Sequence, residues 1–571
     1  MQSPISKKQS SGRPRSINSK SRKVFAADFE ATTDPDDCRV WLSGFADIEY
    51  PEDVHKDYTI RGFIRSISTH NSITYFHNLK YDGHFIIDWM LKNGYKHVVG
   101  KQGLEPGQFR SLISDMNKFY SINVCWENGK RTEFRDSLKK LPFPLARVAQ
   151  TFKLPESKGE LDYKKHRPMG YRPTDEEIEY LNLDVTILAR AIKIVLDNGM
   201  KKLTVGADAL SEYKDLTGKK FDTAFPILSE EMDAEIRRAY RGGFTYADPR
   251  FAGSRLERAG VVLDVNSLYP SVMKTRILPY GEPSFARGLP ETSKDYPLSI
   301  FTVTFTAKLK PNRIPCIQIK GHYQFLGTEY LSVVKEPTTM TVTNVDWELF
   351  NDHYDIDVWE YGGGWLFKGA AGFFDAYIDK WMEVKANSEG GQREIAKLHL
   401  NSLYGKFATN PNVTGKYPEL NENGAVVFVR GEDEMRAPVY TAMGVFITAY
   451  ARDITIRAAQ ENYDVFAYAD TDSLHLLTTK VPDTIDVHPS RLGAWKFEYE
   501  FMAAFYVRAK VYLEQKHDGS YVSAFAGLPE RVSKSLTFDD LRPGKIFTGK
   551  LTPKSVPGGV VLQDVDFKLN M

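Results

Sequence analysis

Cysteine is scarce: Cys38, Cys125 and Cys316 are the only three in 571 residues. A scattered and odd-numbered set gives neither a disulfide framework nor the paired spacing of a zinc site, and it is an intracellular pattern. No apolar run is long enough to cross a bilayer, and the polar N-terminus has no signal-peptide core. An excess of one charge is also lacking, since the formal net charge is +1. A polyanion must therefore be held by local basic surfaces instead of a global field. No internal repeat of about 20 to 50 residues is present, which excludes solenoids and propellers. What remains is a long chain with 42% hydrophobic and 13% aromatic residues, enough for roughly three to four domains with sizeable cores.

One local excess stands against that balance. Lys7, Lys8, Arg13, Arg15, Lys20, Arg22 and Lys23 occur without an acid among them, amid Ser, Gly and Pro. Residues 1–23 are expected to form a disordered basic tail, for which nonspecific DNA contact and simple solubilisation are both open readings.

The acids are more informative. Phe466-Ala467-Tyr468-Ala469-Asp470-Thr471-Asp472-Ser473-Leu474-His475-Leu476 reads as two strands with a pair of carboxylates at the turn. Such carboxylates repel each other unless a hard cation lies between them, although an acidic turn alone is more often only a solvated loop. Upstream, residues 261–263 read as a buried strand ending on Asp264 and followed by Val265-Asn266-Ser267-Leu268-Tyr269-Pro270. Beside the hairpin, Asp264 would complete a set of acids for two-metal phosphoryl transfer; elsewhere it would be a helix cap. Between these segments, Lys397, Asn401 and Tyr404 sit at i, i+4 and i+7 and share one helix face. Residues 381–385 also read as helix, and Asn387-Ser388-Glu389-Gly390-Gly391 as a turn, so an αα-hairpin brings Lys385 toward Lys397. Two neighbouring lysines cost Coulomb energy without a polyanion, which favours a triphosphate site over a solvated helix.

In this order the three segments resemble the three polymerase motifs of family B (α-like) DNA polymerases, most closely the protein-primed members. Tyr240-Arg241-Gly242-Gly243, Thr448-Ala449-Tyr450-Ala451-Arg452 and Lys510-Val511-Tyr512 extend the likeness to nearly the whole chain beyond the first two dozen residues. The resemblance implies that Asp264 and Asp472 hold metals, with Asp470 supporting and Val265 beside them. It assigns Val265, Ser267, Leu268, Tyr269, Lys385, Lys397, Asn401 and Tyr404 to the incoming dNTP. The ring of Tyr269 would lie under the sugar, where a ribose 2′-hydroxyl collides with it. Tyr240, Gly242, Gly243, Thr448, Arg452, Lys510 and Tyr512 are implied DNA contacts.

A second acidic set lies in the N-terminal third. Asp28 and Glu30 alternate onto one face of a strand, Phe76-His77-Asn78-Leu79-Lys80-Tyr81-Asp82-Gly83 brings another acid, and Tyr180 and Asp184 are one turn apart on a helix opened by a capping box from Thr174 to Glu177. Any one of these acids alone is more often a surface residue, and Glu176, Glu177 and Glu179 read as solvating the helix. The order Asp-x-Glu, Asn-x-x-x-Asp and Tyr-x-x-x-Asp resembles the proofreading 3′-5′ exonucleases. By that likeness Asp28, Glu30, Asp82 and Asp184 hold two metals, Tyr180 positions the water, and Lys158 stabilises phosphate charge. His77, Asn78, Tyr81, Phe85, Ser137, Leu138 and Tyr163 would hold the single strand. Two departures from the pattern are Ala31, where relatives carry a threonine hydroxyl, and Ala524-Phe525-Ala526-Gly527-Leu528, which lacks an expected basic residue.

The expected fold class is α/β and α+β multidomain: a ribonuclease-H-like exonuclease domain (24–203) followed by a right-hand polymerase domain with two insertions. Its parts are palm (204–275 and 441–528), a first insertion that docks a terminal protein (276–372), fingers (373–407), a second insertion (408–440) and thumb (529–571). The strand-like pieces around Ile300 and Met340 mark the first insertion, and Asn423-Gly424 between apolar runs marks a β-hairpin in the second. The expected function is protein-primed, processive, strand-displacing replicative DNA synthesis with proofreading, using Mg²⁺ or Mn²⁺, two ions per site. Expected partners are template-primer DNA, dNTPs, a terminal protein and a single-stranded-DNA-binding protein, for a phage-encoded monomer in the host cytoplasm. A nuclease whose polymerase half only grips DNA, and a catalytically silent replication factor, are the alternatives.

Overall fold

The computed structural model describes residues 22–163, 165–319, 330–542 and 544–568. Most of the basic tail, residues 1–21, lies outside the described residues. The expected boundary at residue 23 is corrected: Lys23 already opens the first strand, Lys23–Ala31, and Arg22 pairs with Glu133.

That strand runs through the middle of an eight-stranded mixed sheet. Its order is His55–Asp57, Val40–Asp47, Lys23–Ala31, Ser72–Phe76, Arg131–Asp136, Phe119–Cys125, Gln108–Ile113 and Lys96–His97. The pairings of Ser72–Phe76 with Lys23–Ala31 and with Arg131–Asp136 are parallel, and the strand is followed by the crossover helix Leu79–Lys92. Helix Asp175–Asp197 packs on the first two strands, its N-terminus closed by the Thr174–Glu177 capping box. Glu177 does more than solvate that helix: it is buried and accepts from Arg167, Lys165, Tyr171 and the Thr174 amide. These donors hold its carboxyl down at about 2 despite burial.

The second half is α+β. A five-stranded antiparallel sheet, ordered Trp495–Phe501, Gly260–Val265, Ser473–Leu476, Phe466–Asp470 and Thr245–Ala247, lies against the long helix Thr441–Glu461. That helix is apolar or small on nearly every side, which is why it runs through the core. Between strand Gly260–Val265 and the helical hairpin Asp375–Asn387/Gly390–Phe407, the chain folds into its own four-stranded sheet containing Leu298–Leu309 and Val333–Thr343.

The Asn423-Gly424 segment does turn a hairpin, from Asn412–Leu420 to Val426–Met435. Asn421 organises the turn by accepting the Asn423 and Ala425 amides on its side-chain oxygen. The hairpin is not free. Its flank bonds to the N-terminal sheet through Asp115 N to Thr414 O at 3.0 Å and Lys416 Nζ to Asn117 at 2.8 Å. Phe428 meets the rings of His84 and Phe119 edge-on. At the tip, Ala425 bridges to Pro557 in the turn of the C-terminal hairpin Ile546–Val556/Gly559–Lys568. Val426, Val556, Val560 and Val561 thereby enter the same apolar core as Phe85 and Ile86.

Candidate active sites

In the antiparallel sheet, Asp264 is in register with Ser473, which sets it beside the acidic hairpin. The helix-cap alternative for Asp264 falls, because it lies inside the strand Gly260–Val265. The Val265 amide donates to the Asp472 carbonyl at 2.7 Å, fixing the turn against this strand. The turn apex, Thr471, takes a left-handed backbone (φ 63°) and is held on both sides: its amide reaches Phe244 O at 2.6 Å and its carbonyl accepts Thr455 Oγ1 at 2.7 Å. Gly243 must be glycine here, since a Cβ would stand 2.6 Å from Thr471.

Burial first, and then the charge of Asp472, push the Asp264 carboxyl up to about 7. Asp472 is raised by the same causes, burial ahead of Asp470. Asp470 instead accepts Lys510 Nζ at 2.8 Å and Thr245 Oγ1 at 3.0 Å. Behind the hairpin, Glu514 is 0% exposed and takes His475 Nδ1, Tyr506 and Tyr499 within 2.6–2.7 Å, while Tyr512 packs its ring on Tyr468 and His475.

The helical hairpin brings its cations over the end of strand Gly260–Val265. Lys385 Nζ donates to Ser267 Oγ at 3.2 Å, and its pKa is lowered by burial and then by Arg393, Lys397 and Lys496. Tyr269 and Tyr404 stack face to face with centroids 4.0 Å apart, and Asn401 is exposed on the same helix. Val265 and Leu268 bury their side chains, so only their backbones face this space. Arg393 and Lys496 were not signalled by sequence spacing.

Two expected DNA contacts are corrected. Thr448 is 1% exposed and bonds back to the Gly444 and Val445 carbonyls. Arg452 is 5% exposed, forks onto Asp346, and donates to the Arg241 and Gly242 carbonyls. Arg452 holds the loop that carries Tyr240 and Gly243, and Thr448 is turned into its own helix, so neither side chain is free to meet a strand; Tyr240 stays exposed. Near the Ala524–Leu528 stretch that lacks the expected basic residue, Lys550 Nζ comes within 3.9 Å of where a Gly527 side chain would begin.

In the N-terminal sheet the acids converge more tightly. Asp28 is raised to about 7 by burial and by Asp184, and Glu30 and Asp82 lie well above the usual carboxylate range through burial and the charge of Asp28. Asp184 is also raised by burial, against the pull of Lys158, which ion-pairs with it. Lys158 also sits 4.8 Å over the Tyr180 ring, and Tyr180 shares a 2.8 Å hydrogen bond with Tyr163. Asn78 is exposed in a left-handed conformation, Leu138 half-buried, and Tyr81 meets Phe85 edge-on at 5.5 Å. His77 bridges Ser137 Oγ and Phe143 O, both at 2.8 Å. Phe85, 2% exposed, and fully buried Ser137 are corrected from strand contacts to supports beneath Tyr81 and His77.

Asp82 Oδ1 and Asp184 Oδ1 are buried without a hydrogen-bond partner. Among the described residues no three acidic, histidine or cysteine side chains are already drawn into an ion-ligating cage. Lys158, Lys510 and Lys496 offset part of this charge, and the unsatisfied oxygens and raised carboxyls are what would fit divalent cations here.

The family described as DNA polymerase type B, organellar and viral, matches residues 63–172 and 160–489. The DNA polymerase of Bacillus phage phi29 is 44% identical over 96% of this chain and 99% of its own length. That of Streptococcus phage Cp-1 is 34% identical over 95% of this chain and 98% of its own. The structure of phi29 DNA polymerase complexed with primer-template DNA and incoming nucleotide substrates superposes with a TM-score of 0.91 at 43% identity, covering 96% of this chain and all of that one. The chain therefore belongs to the type B DNA polymerases of organelles and viruses, in their phi29-like branch. Its fold is that of an exonuclease domain joined to a polymerase domain, and it is a DNA-directed DNA polymerase of the replicative kind.

Proposed function

We propose that this polymerase is protein-primed, processive and strand-displacing, and that it proofreads with a 3′-5′ exonuclease, each site using two divalent cations, Mg²⁺ or Mn²⁺. One observation carries the reading: two clusters of mutually repelling, partly or wholly buried carboxylates stand in two separate sheets of one chain. Bound cations would neutralise those carboxylates and offset charge on the reacting phosphate. Asp264 and Asp472, with the Val265 backbone, would hold them in the palm; Asp28, Glu30, Asp82 and Asp184 would hold them in the exonuclease domain.

The residues divide the remaining work. Lys385, Lys397 and Arg393 gather the triphosphate, and the Tyr269–Tyr404 stack forms a floor that admits a deoxyribose and excludes a 2′-hydroxyl. Lys510 and Tyr240 face primer and template. On the exonuclease side Tyr180, held by Tyr163, orients a water, while Asn78 and Tyr81 grip the unpaired end. The partners follow the complexes of the phi29 enzyme, described with primer-template DNA, incoming nucleotides and single-stranded DNA. The four-stranded insertion would dock a terminal protein, and a single-stranded-DNA-binding protein would cover displaced strand. The second insertion, clamped between the exonuclease sheet and the C-terminal thumb hairpin, would close a ring around template and product. Monomeric action in the host cytoplasm completes the proposal.

The test is to incubate the enzyme with candidate terminal proteins and labelled dNTP. A covalent nucleotide–protein adduct that disappears with Asp472→Ala supports protein priming. An enzyme that extends annealed primers yet never forms an adduct with any candidate would leave it an ordinary primed polymerase.

A further inference from the structure

Lys496 stands directly across from Asp264 in the antiparallel pairing of Trp495–Phe501 with Gly260–Val265. Directly opposed residues share a sheet face, with Cβ atoms about 4.5–5.5 Å apart, so this lysine rises beside the acid. Its amine is 2.6 Å from Glu498 Oε1, and both side chains are about two-fifths exposed, at 41% and 38%. An ion pair that open holds weakly, and its amine is easily exchanged to a stronger anion. Releasing Glu498 costs little, because water still reaches it. Just past Asp264 the chain turns at Ser267, whose hydroxyl receives Lys385 at 3.2 Å. Lys385 feels the positive charges of Arg393, Lys397 and Lys496 together. Cations thus converge on the end of one strand from two sides, the helical hairpin and the sheet. Gathered like this they repel, and only an entering polyanion relieves all of them.

We propose that Lys496 is a further substrate-contacting residue, which exchanges Glu498 for the phosphate tail of the incoming nucleotide and holds it from the sheet side. The inference rests on reading this pocket as the nucleotide site. Lys496→Met keeps the apolar stem and removes the charge. Primer extension should show the KM for dNTP raised about fivefold, the worth of one partly exposed charge contact, with kcat within about twofold. Inhibition by inorganic pyrophosphate, which offers phosphate without base or sugar, should weaken by a similar factor. Lys496→Arg should restore both, and the effect should persist in a Glu498→Gln background.

Unchanged KM and unchanged pyrophosphate inhibition would overturn the proposal. So would an effect that vanishes in the Glu498→Gln background, which would make Lys496 only the counter-ion of Glu498. Lys496→Gln carries the same expectation, so the decision rests on whichever variant still degrades single-stranded DNA at the wild-type rate. A wild-type enzyme that extends no primer would instead overturn the reading of the pocket itself.

Discussion

The two acid clusters solve the same electrostatic problem in different surroundings. In the N-terminal sheet, Glu30, Asp82 and Asp184 are buried around Asp28, and the countercharge within the cluster is Lys158. In the palm, Asp264, Asp470 and Asp472 are half-buried at a sheet rim, and Asp470 already has Lys510. Charge sealed in the first cluster is costly until protons or, on the proposed reading, cations neutralise it, whereas the open one keeps solvent and faces a pocket lined with lysine and arginine. On the proposed reading, the sealed site would suit trimming of one unpaired end and the open rim a duplex that slides past it.

The comparison breaks if the clusters are not independent. Asp264→Ala or Asp472→Ala should lower nucleotide addition about 10³-fold or more and leave single-strand degradation near wild type. Asp28→Ala with Asp82→Ala should do the reverse. Loss of both activities from either change, in protein that still unfolds cooperatively, would refute the assignment of separate sites.

Deleting residues 410–436 and bridging with a short Gly-Ser link should remove the strap that joins the two halves. Without a ring the enzyme can release DNA at any step, and the downstream duplex is no longer excluded. The cost of opening that duplex, about 1.4 kcal/mol per base-pair step, then has no obligatory coupling to synthesis. Extension on a primed circle with excess trap DNA should lose long displaced products, while gap-filling and single-strand degradation persist. Long products from the deletion variant would reduce the hairpin to a surface loop.

Tyr269→Val tests the palm pocket alone. Removing the ring should weaken discrimination against ribonucleotides by roughly 10–100-fold, comparable to reshaping a pocket by a few methylenes, with exonuclease rate unchanged. Unaltered discrimination would place the gate elsewhere, with the stacked partner Tyr404 the next position to vary.

Much of this was legible because the acids announce themselves through local spacing. Asp28 and Glu30 alternate on a strand, Tyr180 and Asp184 share a helix face, and Asp470 and Asp472 flank a turn; none of these depends on distant chain. The fold class followed from the same motif order. Burial was not legible in that way. Thr448 and Arg452 look like surface ligands in a motif, yet the helix carrying them is apolar or small around the turns before them, and that pattern was available in residues 442–447. Glu177 looked solvated because Arg167 and Tyr171, its partners, precede its helix. Lys496 had no signal at all: its place beside Asp264 is a cross-strand register between segments more than two hundred residues apart. The docking of the Asn412–Met435 hairpin on the thumb turn is equally non-local.

The smallest expected effect measures the difference between the clusters directly, in stability of the cation-free protein. Asp82 is 3% exposed with an orphaned oxygen and a carboxyl raised well above its usual range by burial and Asp28, while Asp264 is partly exposed and raised to about 7. A raised carboxyl keeps its proton in the folded state at pH values where the unfolded chain has lost it. The folded state then binds more protons, so stability falls as pH rises from the ordinary carboxylate range toward the folded-state value. Asp82→Asn removes that charge permanently and should raise the thermal midpoint at pH 8 in chelator by about 2–4 °C, more than Asp264→Asn does. As pH falls toward the ordinary carboxylate range the folded-state Asp82 takes up its proton, so the gain should shrink at pH 5. Added Mg²⁺ should stabilise the wild type and erase the advantage, because the cation needs the carboxylate that the substitution removes. A gain from Asp82→Asn that is as large at pH 5 as at pH 8, or no larger than that from Asp264→Asn, would mean the buried cluster is already neutralised within the fold, and the contrast between sealed and open sites would fail.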